Sequence, residues 1–185
     1  EEIDGSTVPA SWEAASEEIV SMRKPNTVMV MGDVDSGKTS FCVYLANKAL
    51  KRKMRVAVID GDLGQSDIGP PSTVGFCHLK ALVRDLFELE AENAYFFGIT
   101  SPSSVISKVV SRLTSLKNTM LGANVDFLII NTDGWVEGED AIKYKIELAE
   151  SVAPNIVVGI QRENELNLVL SALKDTKSIT VDSPL

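Results

Sequence analysis

Residues Gly32-Asp33-Val34-Asp35-Ser36-Gly37-Lys38-Thr39 set two glycines, a lysine and a hydroxyl in the order Gly-x-x-x-x-Gly-Lys-Thr. A loop of this kind bends at its glycines, so that successive backbone N–H groups turn inward toward phosphate oxygens. The spacing predicts that Gly32, Asp33, Val34, Asp35, Ser36, Gly37, Lys38, Thr39 and Ser40 cradle a nucleotide. Lys38 would neutralise the β- and γ-phosphates, and the Thr39 hydroxyl would ligate Mg²⁺. A glycine-rich turn without a ligand would look alike in isolation, and the flanks argue against it. Thr27-Val28-Met29-Val30-Met31 reads as a buried strand. Phe41, Leu45 and Ala49, with Cys42, Ala46 and Leu50, recur at helical spacing. A strand, a glycine loop and a helix whose positive dipole end faces the loop form an anion site.

A second strand, Arg55 to Asp60, ends in Asp60-Gly61-Asp62-Leu63-Gly64-Gln65-Ser66-Asp67. A carboxylate at a strand end beside a phosphate loop is where Mg²⁺ is held, directly or through water. Asp60 and Asp62 stand two residues apart, so on extended chain they point the same way. One can serve the metal and the other can accept a proton from an attacking hydroxyl. The alternative is that one of them only caps a turn. A signalling GTPase places glycine three residues after its acidic residue and carries Asn-Lys-x-Asp later. Here Leu63 occupies that position and no Asn-Lys-x-Asp occurs, so ATP is the expected nucleotide.

The elements that must position these residues alternate. Glu1 to Pro9 reads as a tail, and Ser11 as the N-cap of a short helix bearing Trp12, Ala15, Ile19 and Met22. Residues 1–26 are thus an N-terminal tail and helix, and 27–185 one α/β domain. Phe76 to Leu79 reads as a short strand and Leu82 to Leu89 as a short helix. Further strands are expected at Ala94–Gly98, Val125–Ile130, Asn155–Ile160 and Ser178–Val181. Helices follow three of them, the first capped by Ser103 or Ser104. Alternation means βαβ units: a P-loop NTPase fold, a mostly parallel twisted sheet with helices on both faces. The loops at 32–39, 61–75, 98–103 and 131–139 all follow strands, so they should converge on one rim.

Bulk properties narrow the function. The chain has 185 residues, 44% hydrophobic and 24% charged, which suits one core. Its net charge of −8 argues against broad adhesion to nucleic acid, though not against one local site. Lys51-Arg52-Lys53 with Arg55 is the densest basic cluster and reads as helix C-terminal charge. No apolar run is long enough to cross a membrane. Cys42 and Cys77 are the two cysteines, and a buried Cys42 thiol fits a reducing, cytoplasmic setting, or the nucleus in a eukaryote. His78, the single histidine, shows no partner and takes no role. The sequence begins at Glu1 rather than Met, as a fragment of a longer protein would.

Three longer segments carry a resemblance. Asp60-Gly-Asp-Leu-Gly-Gln-Ser-Asp-Ile-Gly-Pro-Pro71 resembles the Asp-x-Asp-x-Gly-Gln…Pro motif of RNA-processing polynucleotide 5′-hydroxyl kinases. Phe97-Gly98-Ile-Thr100-Ser101-Pro102 resembles their Gly-x-Thr-x-Pro segment, and Asn131-Thr132-Asp133-Gly134-Trp135-Val136-x-Gly138 their Asn-Thr-x-Gly-Trp-Val-x-Gly motif. With the phosphate loop, these cover roughly residues 27–170 in the family's order. That family includes archaeal enzymes, the kinase of the eukaryotic pre-mRNA cleavage complex and a nucleolar relative.

The resemblance implies ATP- and Mg²⁺-dependent phosphorylation of a 5′-hydroxyl on RNA or DNA. Lys38 and Thr39 match the phosphate and metal positions. Asp62 matches the carboxylate that activates the 5′-hydroxyl, while Asp60 and Gln65 would support the metal and its waters. Asp35 falls where the family has Asp or Asn. Trp135 matches an aromatic that clamps the terminal nucleotide, a contact worth about 1–3 kcal/mol per base; an indole folded over its own helix is the alternative. Thr100 and Ser101 either hold the substrate backbone or cap a helix. RNA-processing proteins are the expected partners. The family's arginine-rich lid would begin where this sequence ends, at Asp182-Ser183-Pro184-Leu185, and no flanking β-domains are in view. The fragment is therefore expected to bind nucleotide and to phosphorylate RNA poorly. Two other readings keep the same fold. One is a non-catalytic ATP-holding scaffold of an RNA-processing assembly. The other is a P-loop NTPase for metal-centre assembly, which the scarcity of Cys and His disfavours.

Overall fold

The computed structural model describes residues 8–184, so most of the expected tail lies outside the described part. The phosphate-loop strand β1 (Asn26–Gly32) is buried at every position. It lies between two parallel neighbours, β5 (Phe127–Thr132) and β6 (Ile156–Gln161). The sheet runs β4-β3-β2-β5-β1-β6-β7, with β2 (Val56–Gly61), β3 (Thr73–Leu79), β4 (Asn93–Phe96) and β7 (Lys177–Asp182) completing it. Strands buried on both faces read as continuous apolar runs, as β1, β2, β5 and β6 do.

Alternate residues of those strands feed two cores. Val28, Val30, Val56, Val58 and Ile129 pack beneath α1 (Ala10–Ser21) and α2 (Lys38–Lys51), against Trp12, Ile19, Phe41 and Leu45. Met29, Met31, Ala57, Ile59 and Ile130 face α3 (Ile106–Gly122), α4 (Glu139–Val152) and α5 (Asn167–Ala172), against Leu113, Leu148 and Val169. The fold is that of a P-loop NTPase with helices on both faces of the sheet.

Four local expectations are corrected. Strands and helices do not alternate throughout, because β3 runs antiparallel to both β2 and β4, making a hairpin edge without a crossover helix. The helix expected over 82–89 is reduced to a 3₁₀ turn at Leu86–Glu88, started by the Asp85 carboxylate accepting from Phe87 N–H. Ser11 does not cap α1, which begins after Pro9; its hydroxyl donates instead to Asp182 Oδ2 across 2.7 Å. Ser103 and Ser104 lie in a 3₁₀ turn, and α3 starts after Val105 without a side-chain cap.

His78 does have a partner: Nδ1 lies 3.0 Å from Glu92 Oε2, across the β3–β4 hairpin. In the basic cluster, Arg52 meets Glu17 of α1 at 2.5 Å, and Arg55 makes a two-pronged contact with Asp126 at 3.0 and 2.9 Å. Both cysteines are free and buried, as read for Cys42. Among the described residues no helix is long and apolar enough to cross a membrane.

Candidate phosphate-transfer site

The loop between β1 and α2 needs two left-handed residues to turn its amides inward. Gly37 supplies one at φ 95°, where a side chain is disfavoured. Asp35 supplies the other at φ 56°, a region that Asp and Asn enter more easily than most residues. That gives a physical reason for an acidic or amide residue at this position. Behind the loop a Cβ on Gly32 would lie 2.3 Å from Ser36 Oγ and 2.9 Å from the Ile160 carbonyl, so only glycine fits. Lys38 is held under the loop, its Nζ donating to the Asp33 carbonyl at 2.6 Å. Burial lowers the Lys38 pKa, and the Asp62 charge works against that shift.

Asp60, at the end of β2, is fully buried. Its Oδ2 accepts from Asp67 N–H at 2.6 Å, from Ser66 Oγ at 3.2 Å and from Ile68 N–H at 3.4 Å. Its Oδ1 accepts from Asp62 N–H at 3.3 Å and Asn131 Nδ2 at 3.4 Å. Burial pushes its pKa up to about 6 against those donors. Asp60 thus ties the 62–68 turn together from behind and does not face the cleft. Asp62 faces it, with Oδ1 accepting from Gly64 N–H at 2.9 Å and Gln65 N–H at 3.0 Å. A cleft of about 390 Å³ is lined by Asp35, Gly37, Lys38, Thr39 and Ser40 from the loop and by Asp62, Gln65 and Asp67 from the turn after β2.

Asp67 is the residue that sequence reasoning passed over as a site group. Its Oδ2 accepts the Thr39 hydroxyl at 2.7 Å, and burial raises its pKa while that hydrogen bond opposes the rise. With its proton committed to Asp67, Thr39 Oγ1 keeps its lone pairs for a cation. The signal was the acidic residue closing the Gln65-Ser66-Asp67 run; nothing local showed that the Asp60 bonds fold it back over Thr39.

The cleft suits a triphosphate and a hard cation. Ser36 Oγ is buried without a protein partner inside the cradle. The donors beside it are a hydroxyl and carboxylates, the oxygen set that Mg²⁺ takes. Among the described residues no cluster of three or more His, Cys, Asp or Glu could hold a metal alone. Magnesium sites completed by substrate phosphates look like this.

The remaining expected site residues flank the cleft rather than line it. Ser101 Oγ accepts from Ser103 N–H at 3.4 Å and so starts the 3₁₀ turn, the capping alternative. The Thr100 carbonyl sits over the Asp62 turn, 3.1 Å from where a Cβ on Gly64 would be. Trp135 stacks on Tyr144 of α4, centroids 5.8 Å apart at 25°, the arrangement of an indole laid over its own helix. Beneath it, Lys145 is fully buried and donates to the Asp133 carbonyl at 2.7 Å and to Asp133 Oδ1 at 3.1 Å. Tyr144 Oη donates to Asp133 Oδ2 at 2.7 Å, and burial holds its pKa well above the usual phenol value. The 131–135 loop lies directly on the phosphate loop: a Cβ on Gly134 would meet Val34 N at 2.8 Å.

Against known proteins, the family model described as mRNA cleavage and polyadenylation factor CLP1 P-loop matches residues 32–185. The chain belongs to the CLP1 P-loop family. A polyribonucleotide 5′-hydroxyl-kinase of Pyrococcus abyssi is 36% identical over 168 residues, 91% of this chain and 47% of that protein. Polyribonucleotide 5′-hydroxyl-kinase Clp1 of Gallus gallus is 32% identical over 149 residues, 76% of this chain and 35% of that one. The solved structure of a wild-type Clp1p–Pcf11p complex superposes with a TM-score of 0.70 at 16% identity, over 92% of this chain and 46% of that one. The chain spans about half the length of the archaeal relative, and less of the Gallus Clp1. Membership of a P-loop family implies nucleotide binding.

Proposed function

We propose that this chain is the phosphate-transferring part of an ATP-dependent polynucleotide 5′-hydroxyl kinase, acting on RNA ends. The observation that carries the reading is the Asp62 carboxylate, facing the same cleft as Lys38 and Thr39. The relatives named as polyribonucleotide 5′-hydroxyl-kinases support it. The loop amides and Lys38 bind and orient the terminal phosphates. Thr39 and Asp67 would hold Mg²⁺, which when bound neutralises charge on those phosphates. The turn amides at Gly64 and Gln65 fix Asp62 through Oδ1, so Oδ2 is the oxygen left to take the proton of the attacking 5′-hydroxyl. Asp60 is a positioning residue for that turn. Gln65 lines the cleft that the incoming end would enter, and Thr100, beside the Asp62 turn, would contact the terminal nucleotide; Trp135 and Ser101 are engaged with Tyr144 and Ser103 instead. A structural relative solved with Pcf11 makes an RNA-processing protein the kind of partner to expect.

The test is transfer of radiolabelled phosphate from ATP to a 5′-hydroxyl RNA and to the matching DNA. Lys38→Ala should lose nucleotide affinity and transfer together. Asp62→Asn should keep ATP affinity and lose transfer by roughly 10²–10⁴-fold, the range for a positioned base. Equal transfer by Asp62→Asn would remove Asp62 from the chemistry.

A further inference from the structure

The cleft at Asp62 accounts for the reacting end of a polynucleotide and not for the nucleotides behind it. Between β4 and α3 lies a second groove of about 640 Å³. Tyr95, Phe96 and Phe97 form one wall; Lys108, Ser111 and Arg112 form the other. The Arg112 guanidinium sits 3.8 Å over the Tyr95 ring, and Phe96 is 77% exposed. The charged residues that line the groove, Lys108 and Arg112, are both cationic. From Asn93 to Val125 there is no Asp or Glu, and the charged residues are Lys108, Arg112 and Lys117, in a chain of net charge −8. The groove also adjoins the site, because the loop after β4 places the Thr100 carbonyl against Gly64 of the Asp62 turn.

We propose that this groove is a track for single-stranded RNA, taking the nucleotides downstream of the 5′ end seated at Asp62. The assignment of that end rests on the function proposed above. Single-strand tracks combine cations that follow the phosphates with aromatic faces on which bases stack, and tolerate any sequence. Here the cations and the Ser111 hydroxyl come from α3 and the rings from the edge strand. An added protein strand would use the free edge of β4 alone and would have no need of the Lys108 and Arg112 charges across from it.

Fluorescence anisotropy of 5′-hydroxyl RNA dinucleotide and octanucleotide, with the full-length protein, tests the track without relying on phosphate transfer. The native protein should bind the octamer at least about tenfold more tightly than the dinucleotide, given the value of one stacked base. Lys108→Gln/Arg112→Gln should bring that ratio toward one. It should also reduce the slope of log affinity against log salt by about 1.4, at roughly 0.7 per phosphate contact. Phe96→Ala should weaken the octamer by about 5- to 150-fold, the range of one lost stack. Circular dichroism confirms that each variant is folded. Unchanged octamer affinity in both variants overturns the proposal, as does protection of β4 by another part of the full-length protein with no RNA present. Loss of octamer binding in variants of a protein that transfers phosphate to no RNA would refute the kinase reading and support the track. Normal transfer with unaltered octamer KM would refute the track alone.

Discussion

Thr39 donates its hydroxyl proton to Asp67, and that one bond decides how the metal position is built. The carboxylate orients the hydroxyl and adds charge at the edge of the cation site. Asp67→Asn can still accept the bond but lacks the charge. ATP affinity in magnesium should therefore fall about 10- to 100-fold, as when outer partners of metal ligands are lost. Affinity with EDTA present should change far less, and calorimetry under the two conditions separates the effects. Lys38, Thr39 and Asp62 were legible because each is fixed by a short spacing from a glycine or a strand end. Asp67 was not, because its position depends on Asp60 gathering the amides of Asp67 and Ile68, a long turn without local periodicity. The two-residue spacing predicts Asp60 facing the nucleotide beside Asp62. The strand alternation behind that reading ends at Gly61, where the chain turns and Asp60 stays in the core.

At the scale of elements, α4 and the end of β5 are joined by an ion pair sealed from water. Lys145 and Asp133 are 0% and 5% exposed, and Tyr144 completes the bonding of the carboxylate. Lys145→Met would leave Asp133 buried and uncompensated, at a cost of about 3–5 kcal/mol. Urea denaturation should show this, and adding Asp133→Asn should restore part of the loss, since the pair is coupled. The alternating apolar strands made this layer arrangement readable, but not the hairpin edge. A short apolar run such as Phe76–Leu79 has the same pattern in either direction, so only pairing reveals that β3 is antiparallel. The same pairing brings Glu92 to His78, a partner that no spacing along the chain suggests. Ser11 departs from its expected capping role for a related reason. Its bond to Asp182 spans nearly the whole chain and overrides a local capping preference.

The molecule as a whole carries opposed carboxylate contributions to its stability. The Arg55 side-chain and backbone donors hold the Asp126 pKa far below the usual range, and Glu92 is lowered first by the His78 backbone N–H. Groups lowered by folding stabilise above their unfolded pKa, about 4, and that stability is lost as pH falls through the folded value. Asp60 runs the other way. Its pKa is raised to about 6, so the stability from its bound proton is present below the unfolded value and lost as pH rises through 6. Asp126→Asn should therefore lower the melting temperature most at neutral pH, with the deficit shrinking progressively as pH drops below about 4. Melting curves across that range check the sign.

The close seat of Gly134 on Val34 has one more consequence. The Val34 side chain and backbone nitrogen both lie against the Gly134 position, so the bare glycine is what lets the two loops close on each other. A change in the posture of Val34 on filling the amides would therefore press on the loop that bears Trp135. Any coupling through this contact would be reciprocal, each ligand altering the other's affinity by the same factor.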